Sequence, residues 1–283
     1  MKNLLTLLLI CSSFLVHGQW IKEKGTGYLK LGGWSLLANK HFTDQGLTDP
    51  NSTRGLFINS IYGEIGIGKK INIIAYLPFF LKNYQYAQVS KTTGKVYEPR
   101  QEYNGLGDFN LGLEYGWGQL KNWKLSGSLT LGIPSGESTA GSDGSYQTGD
   151  GEFNQLLQIN LGKSYRINNQ SFYLKSYLGY NNRTQGFSDE FHWFGETGTQ
   201  LFNSNLLILS RLHWIKPLYN GTLDASNANG AIFANNIESF TLGGELAWSI
   251  GEKWGIALGT ATPLFGKVIY KATSFSGGVF LIF

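Results

Sequence analysis

The feature that most constrains this chain is an alternation of apolar and polar residues with period two, repeated along almost its whole length. In 109–117, Phe109, Leu111, Leu113, Tyr115 and Trp117 share one face, and Asn110, Gly112, Glu114 and Gly116 share the other. In 125–133, Leu125, Leu129, Leu131 and Ile133 oppose Ser126, Ser128, Thr130 and Gly132. In 240–250, Phe240, Leu242, Leu246, Trp248 and Ile250 oppose Thr241, Gly243, Glu245, Ala247 and Ser249. Successive side chains of an extended strand point to opposite sides, so each segment reads as a strand with one apolar face. About twelve strands follow, near 25–38, 54–69, 71–82, 105–118, 122–134, 151–165, 171–183, 190–202, 205–217, 237–250, 253–263 and 272–283. They last about ten residues or more, enough to cross a bilayer at a tilt, whereas soluble strands usually run to five or six.

The connections sort by length. After even-numbered strands they are tight, around Lys69-Lys70, Gln119 to Lys121, Arg166 to Gln170, Asn203-Ser204 and Gly251-Glu252. After odd-numbered strands they are mostly longer and polar: 39–53, 83–104, 135–150, 184–189, 218–236 and 264–271. A soluble sandwich has no reason to gather its long loops at one end. An outer-membrane barrel has short periplasmic turns, long external loops and an even strand count. The expected fold class is therefore all-β: a transmembrane antiparallel up-and-down β-barrel of about 12 strands. Lipid offers no partner for a free N–H or C=O, so the sheet must close on itself. Aromatics near strand ends suit the two membrane interfaces: Trp34, Trp117, Trp123, Trp193, Trp214, Trp248 and Trp254, with Tyr28, Tyr76 and Tyr180.

Composition agrees. Charged residues are 15%, below the roughly 25% of a soluble domain. Residues 1–18 read as a secretory signal peptide, with Lys2 at its positive end, an apolar core from Leu4 to Ile10, and Val16 and Gly18 before Gln19. The single Cys and single Met fall in that leader. Residues 19–283 then form one domain, the barrel, with no cysteine for disulfide staples. The expected location is a Gram-negative outer membrane, with membrane lipids as partners. The chain ends Phe275, Gly277, Val279, Leu281, Phe283 on one face. A final aromatic on such a strand is expected to be read by the outer-membrane assembly machinery. A net charge of +4 with no basic run gives no reason to expect a nucleic-acid partner.

The stretch from Tyr103 to Tyr165 carries a resemblance. It reads NGLGDFNLGLEYGW at 104–117, LSGSLTLGIPSGE at 125–137 and TGDGEFNQLLQINLGKSY at 148–165. It resembles the MetA-pathway-of-phenol-degradation family of transporter-type outer-membrane barrels. The matching positions are Gly105 to Asp108, Pro134 to Gly136 and Thr148 to Gly151. The resemblance implies a barrel passing small hydrophobic or aromatic solutes, and it implies no binding residues.

With apolar residues on lipid, the opposite parity gives the lumen. Acidic candidates are Glu64, Asp108, Glu114, Glu152, Glu196 and Glu245. Basic candidates are Lys30, Lys124, Lys175, Arg183 and Arg211, with His192 and His213 nearby. They read either as a polar pathway or as ion pairs filling a narrow barrel. Tyr62, Tyr76, Phe80, Tyr173 and Tyr177 are expected inside as occluding rings. No cofactor is expected: Gly105 to Asp108 lacks the Lys of a phosphate loop, and Asp143, Asp150 and Glu152 lack the spacing of an EF-hand. An enzyme is not expected either. Ser210 and His213 are three apart and point to opposite faces, and Ser188 lies about 13 Å along a strand from His192. The expected function is passive passage of a small solute, with a structural or adhesive barrel as the alternative.

Overall fold

The computed structural model describes residues 21–283 except 169, 203 and 225–231. The expected leader lies outside the described residues. Twelve long strands form the wall: β1 (Gly27–Phe42), β2 (Thr48–Gly66), β3 (Ile71–Gln85), β4 (Phe109–Leu120), β5 (Trp123–Ile133), β6 (Asn154–Ile167), β7 (Gln170–Asn182), β8 (Glu190–Leu201), β9 (Leu206–Pro217), β10 (Glu238–Ile250), β11 (Trp254–Lys267) and β12 (Ser274–Ile282). Each pairs antiparallel with the next in sequence. β1 pairs with β12 from Tyr28↔Ile282 to Leu36↔Ser274 as well as with β2, so the wall closes with no free edge. Short strands lie beyond it: Gln101–Gly105 pairs with the upper part of β3, and Ile269–Tyr270 pairs with the end of β1. Among the described residues no helix is long and apolar enough to cross a membrane; this wall would cross with strands.

The two faces differ as the alternation implies. Outward Leu31, Leu113, Leu157, Leu178, Leu246 and Leu258 are each half or more exposed. Inward Asn72, Glu114, Ser126 and Asn160 are buried. The usual arrangement of a soluble protein is reversed, and lipid would cover what is bare here. Tight turns at one end use left-handed residues, with φ of 54° at Lys121, 47° at Asn168 and 75° at Gly251, as short hairpin turns require.

Three local expectations are corrected. The connection after β1 is only 43–47, because β1 and β2 continue as a paired hairpin above the wall, to His41↔Asp49 and Phe42↔Thr48. Beyond the bilayer neither face has to be apolar, so the alternation that marks a strand is lost there. Trp34 and Tyr28 line the interior rather than an interfacial girdle, and Tyr76, expected both at an interface and among the inward rings, is inward. Trp117, Trp248 and Trp254 remain outward and exposed at the short-turn end. Phe80 faces out, edge-on to Phe57 at 6.3 Å. A bulge sets Ser60 against two residues of β3, between the pairs Asn59↔Phe80 and Ile61↔Leu77, and this reverses the parity beyond it.

Candidate functional site: the barrel lumen

Register brings the lumen charges into rows. Lys175 of β7 pairs with Glu196 of β8, which pairs with Arg211 of β9, so three charged residues stand abreast. Arg211 Nε lies 2.6 Å from Glu196 Oε2, and its Nη1 lies 3.5 Å from Glu245 Oε2 on β10. Lys30 of β1 reaches Glu245 Oε2 at 2.8 Å, spanning β12 and β11. Those strands present Gly259 and Ser276 at this level, and a Cβ on Gly259 would sit 2.7 Å from Ser276 Oγ. The small residues leave the space that the lysine crosses. Tyr173 donates to Glu196 Oε1 at 2.9 Å. Lys30, Lys175, Glu196, Arg211, Glu245 and Ser276 wall a central chamber of about 590 Å³, completed by Tyr28, Trp34, Ile58, Tyr62, Tyr76 and Ile232.

Below the chamber the lumen tightens into a polar band. Glu114 accepts from Ser126 Oγ at 2.6 Å, Asn72 Nδ2 at 3.2 Å and Asn160 Nδ2 at 3.4 Å. Asn72 also donates to Glu64 Oε1 at 3.4 Å. The segment preceding β1 turns into this end, where Lys22 N donates to Asn72 Oδ1 at 2.9 Å. Above the chamber the lining turns apolar. Leu36, Ala38, Leu56, Leu81 and Tyr270 form a buried cluster on which Trp34, Ile58, Ile232 and Phe233 pack. Ile232 and Phe233 come from the loop after β9, which therefore dips into the barrel. A second cavity of about 230 Å³ borders Trp34, Phe194, Arg211 and His213. His213 Nε2 is 3.3 Å from Tyr177 Oη, and the His213 and His192 ring centroids are 5.6 Å apart.

The external rim holds a buried ionic latch. Arg183 reaches Asp150 at 3.0 Å, Glu152 at 2.5 Å and Glu190 at 2.9 Å, with its side chain 6% exposed. Glu190 also meets His192 Nε2 at 2.9 Å and accepts from Asn181 Nδ2 at 3.1 Å. Thr184 N donates to Glu152 Oε2 at 2.8 Å. Next to the latch, the three segments that carry the sequence resemblance knit together. Asp108 accepts from Gly136 N and Asp150 N, both at 2.9 Å, and Ser135 Oγ donates to Gly107 O at 2.8 Å. Glu137 N donates to Thr148 Oγ1 at 2.8 Å. Gly149 is required there, because a Cβ would collide with the Asp108 carboxylate. The motif is thus a loop clasp.

Burial raises the Asp150 carboxyl to about 7, with Arg183 pulling it down and Glu152 and Asp108 adding to the rise. An opened, hydrated loop would return it to about 4. The closed latch therefore holds a proton that the open one releases. Its contribution is complete below about pH 4 and is lost as pH rises through about 7. Amide protection factors at 149–153 and 183–190, which are corrected for the intrinsic pH dependence of exchange, should be higher at pH 5.5 than at pH 8. Asp150→Asn should remove most of that difference; an unchanged difference would assign it to another group.

The structure thus places Lys30, Lys175, Glu196, Arg211 and Glu245 in the chamber wall, and Glu64 and Glu114 in the band below. His192 and His213 stand between chamber and rim. Asp108, Glu152 and Arg183 belong to the rim, and Lys124 borders the mouth at the short-turn end. Asn72 and Glu190 were not singled out in the sequence. Both share their strand's inward parity with chosen residues or rings, Asn72 with Tyr76 and Glu190 with His192, and that signal would have found them.

Among solved structures the chain is similar over its length to an outer membrane channel from Pseudomonas putida F1: TM-score 0.60, 10% identity, 94% of this chain and 98% of that one covered. The β domain of the Bordetella autotransporter BrkA aligns at TM-score 0.48, 12% identity, over 91% and 100% of the two chains. OmpT of Vibrio cholerae aligns at TM-score 0.40, 8% identity, over 93% and 100%. The Pseudomonas likeness is one of fold. No protein-family model matches the chain, and no curated protein matches it in sequence.

Proposed function

We propose that this protein is an outer-membrane channel for small solutes that combine a hydrophobic or aromatic body with a polar end. The observation that carries the reading is the chamber of about 590 Å³, with its apolar collar on the external side and its charged wall below. The collar would strip water from an apolar body, and the row of Lys30, Glu245, Arg211 and Glu196 would orient a polar end. The resemblance at Tyr103 to Tyr165 supports the same solute class, and the fold shared with the Pseudomonas channel supports the membrane setting. Residues 1–18 would direct export. The terminal strand through Phe283 would serve assembly by the outer-membrane machinery. No catalytic role belongs to this reading.

Single-channel recording tests it. Purified protein in planar bilayers should give discrete steps of small conductance. An aromatic acid such as 4-hydroxybenzoate should interrupt the current in a concentration-dependent way, and Arg211→Gln should weaken that interruption by about ten- to a hundredfold, as loss of a charged partner of about 1.5–3 kcal/mol predicts. A barrel that never conducts would sink the proposal.

A further inference from the structure

We infer that the mouth at the short-turn end is a binding site for a small soluble oxyanion carrying more than one negative charge. A pocket of about 550 Å³ opens there, between the segment that precedes β1, the turn before β3, the end of β4 and the start of β5. Lys22, Lys24, Lys69, Lys70 and Lys124 line it, with Glu23 as the single acid among its lining residues. Among the described residues, none of these five lysines forms an ion pair with a carboxylate. In the central lumen, Lys30 and Arg211 are both paired with carboxylates. Convergence without carboxylate partners thus sets this mouth apart from the paired Lys30 and Arg211, with Lys70 Nζ resting 6.0 Å from the centre of the Tyr115 ring.

The convergence is built, not incidental. Lys22 and Lys24 sit on a segment pinned by its backbone. Lys22 N donates to Asn72 Oδ1, Gly25 N donates to Gly66 O at 2.8 Å, and Gly66 N donates to Thr26 O at 3.0 Å. Ile21 packs onto Gly116, where a Cβ would sit 2.7 Å from Ile21 Cγ1. Folding thus holds two lysines opposite Lys69, Lys70 and Lys124, against their mutual repulsion. The surrounding rim does not relieve it. Lys121, Lys163, Arg166 and Lys253 add positive charge at the same end, opposed by Glu252 at the rim and by Glu64 and Glu114 just inside the mouth. A recess with low-dielectric walls focuses such a field and concentrates counter-ions of high charge. Ile21 and Leu125 give the pocket an apolar side, so the ligand class is a compact phosphate- or carboxylate-bearing molecule.

The inference does not depend on conduction, and its test avoids it. Titration calorimetry of the detergent-solubilised full chain with inorganic pyrophosphate should show one site per barrel at low salt. A variant carrying Lys22→Gln, Lys24→Gln, Lys69→Gln, Lys70→Gln and Lys124→Gln should bind at least tenfold more weakly. A charge-matched control, with Lys40, Lys91, Lys95, Lys267 and Lys271 changed to Gln at the opposite end, should stay within twofold. No binding by the native chain, or equal losses in both variants, would overturn the site. Phosphatidylglycerol added to the micelle should not displace pyrophosphate; displacement would reassign the pocket to a lipid headgroup. Should the five-lysine variant fail to fold, Lys69→Gln with Lys70→Gln, in an exposed turn, gives the same reading at smaller amplitude.

Discussion

Arg183→Met should destabilise the barrel by about 3–5 kcal/mol, the largest single loss expected in the molecule. The guanidinium meets three carboxylates from two places: Asp150 and Glu152 in the loop after β5, and Glu190 at the start of β8. All are nearly shut off from water, with the Glu152 side chain at 0% exposure. Met fills similar volume but leaves three acids buried together without their cation. Burial already raises the Asp150 carboxyl to about 7, and without Arg183 it would rise further. Arg183→Lys should recover only part of the loss, because one ammonium cannot bridge three carboxylates as a planar fork does. Guanidinium unfolding in lipid vesicles measures the stability, and hydrogen exchange at 183–190 locates the opening. A loss under about 1 kcal/mol would show that the rim is held by the Asp108 clasp instead. Glu190→Gln, which keeps a hydrogen-bonding side chain, should cost less than Arg183→Met.

Why the wall was legible and the rim was not follows from where each gets its order. Lipid on one side and a polar lumen on the other impose a period of two, so Leu111, Leu113 and Tyr115 announce β4 without any partner in view. The signal fades where no lipid demands an apolar face, which is why the hairpin across 43–47 reads as a loop. It reverses at a bulge, which is why Phe80 was misplaced. Trp34 looked like an interfacial ring because it is large and aromatic, but parity set it inside with Lys30 and Leu36. The latch escaped as a unit because Arg183 lies 31 and 33 residues from Glu152 and Asp150, and parity picks out inward charges without saying which distant ones meet. Gly105 to Asp108 and Thr148 to Gly151 stood out as a motif, yet their purpose as a clasp appears only when Asp108 is seen to bond Gly136 and Asp150.

Ile232→Ala combined with Phe233→Ala should raise single-channel conductance by about twofold or more, with the wall strands still paired. These two residues reach from the loop after β9 onto Leu36, Leu56 and Leu81, and Ile232 also borders the chamber. They are only partly buried, so each truncation should cost about 1–2 kcal/mol, less than the 2–5 kcal/mol of a fully buried site. The loop's base stays tied by Ser188 N to Asn235 Oδ1 at 2.8 Å and by Ser188 Oγ to Asn236 Oδ1 at 2.6 Å, so the loop should not leave the rim. What changes is the apolar cross-section between the external mouth and the chamber. If the collar is the constriction, ion flux rises and interruption by 4-hydroxybenzoate shortens, because an apolar body loses its packing partners. Unchanged conductance with an intact loop would move the constriction to the polar band of Asn72 and Glu114. There the conserved-size change Glu114→Gln should alter ion selectivity, since it removes a charge without widening the lumen.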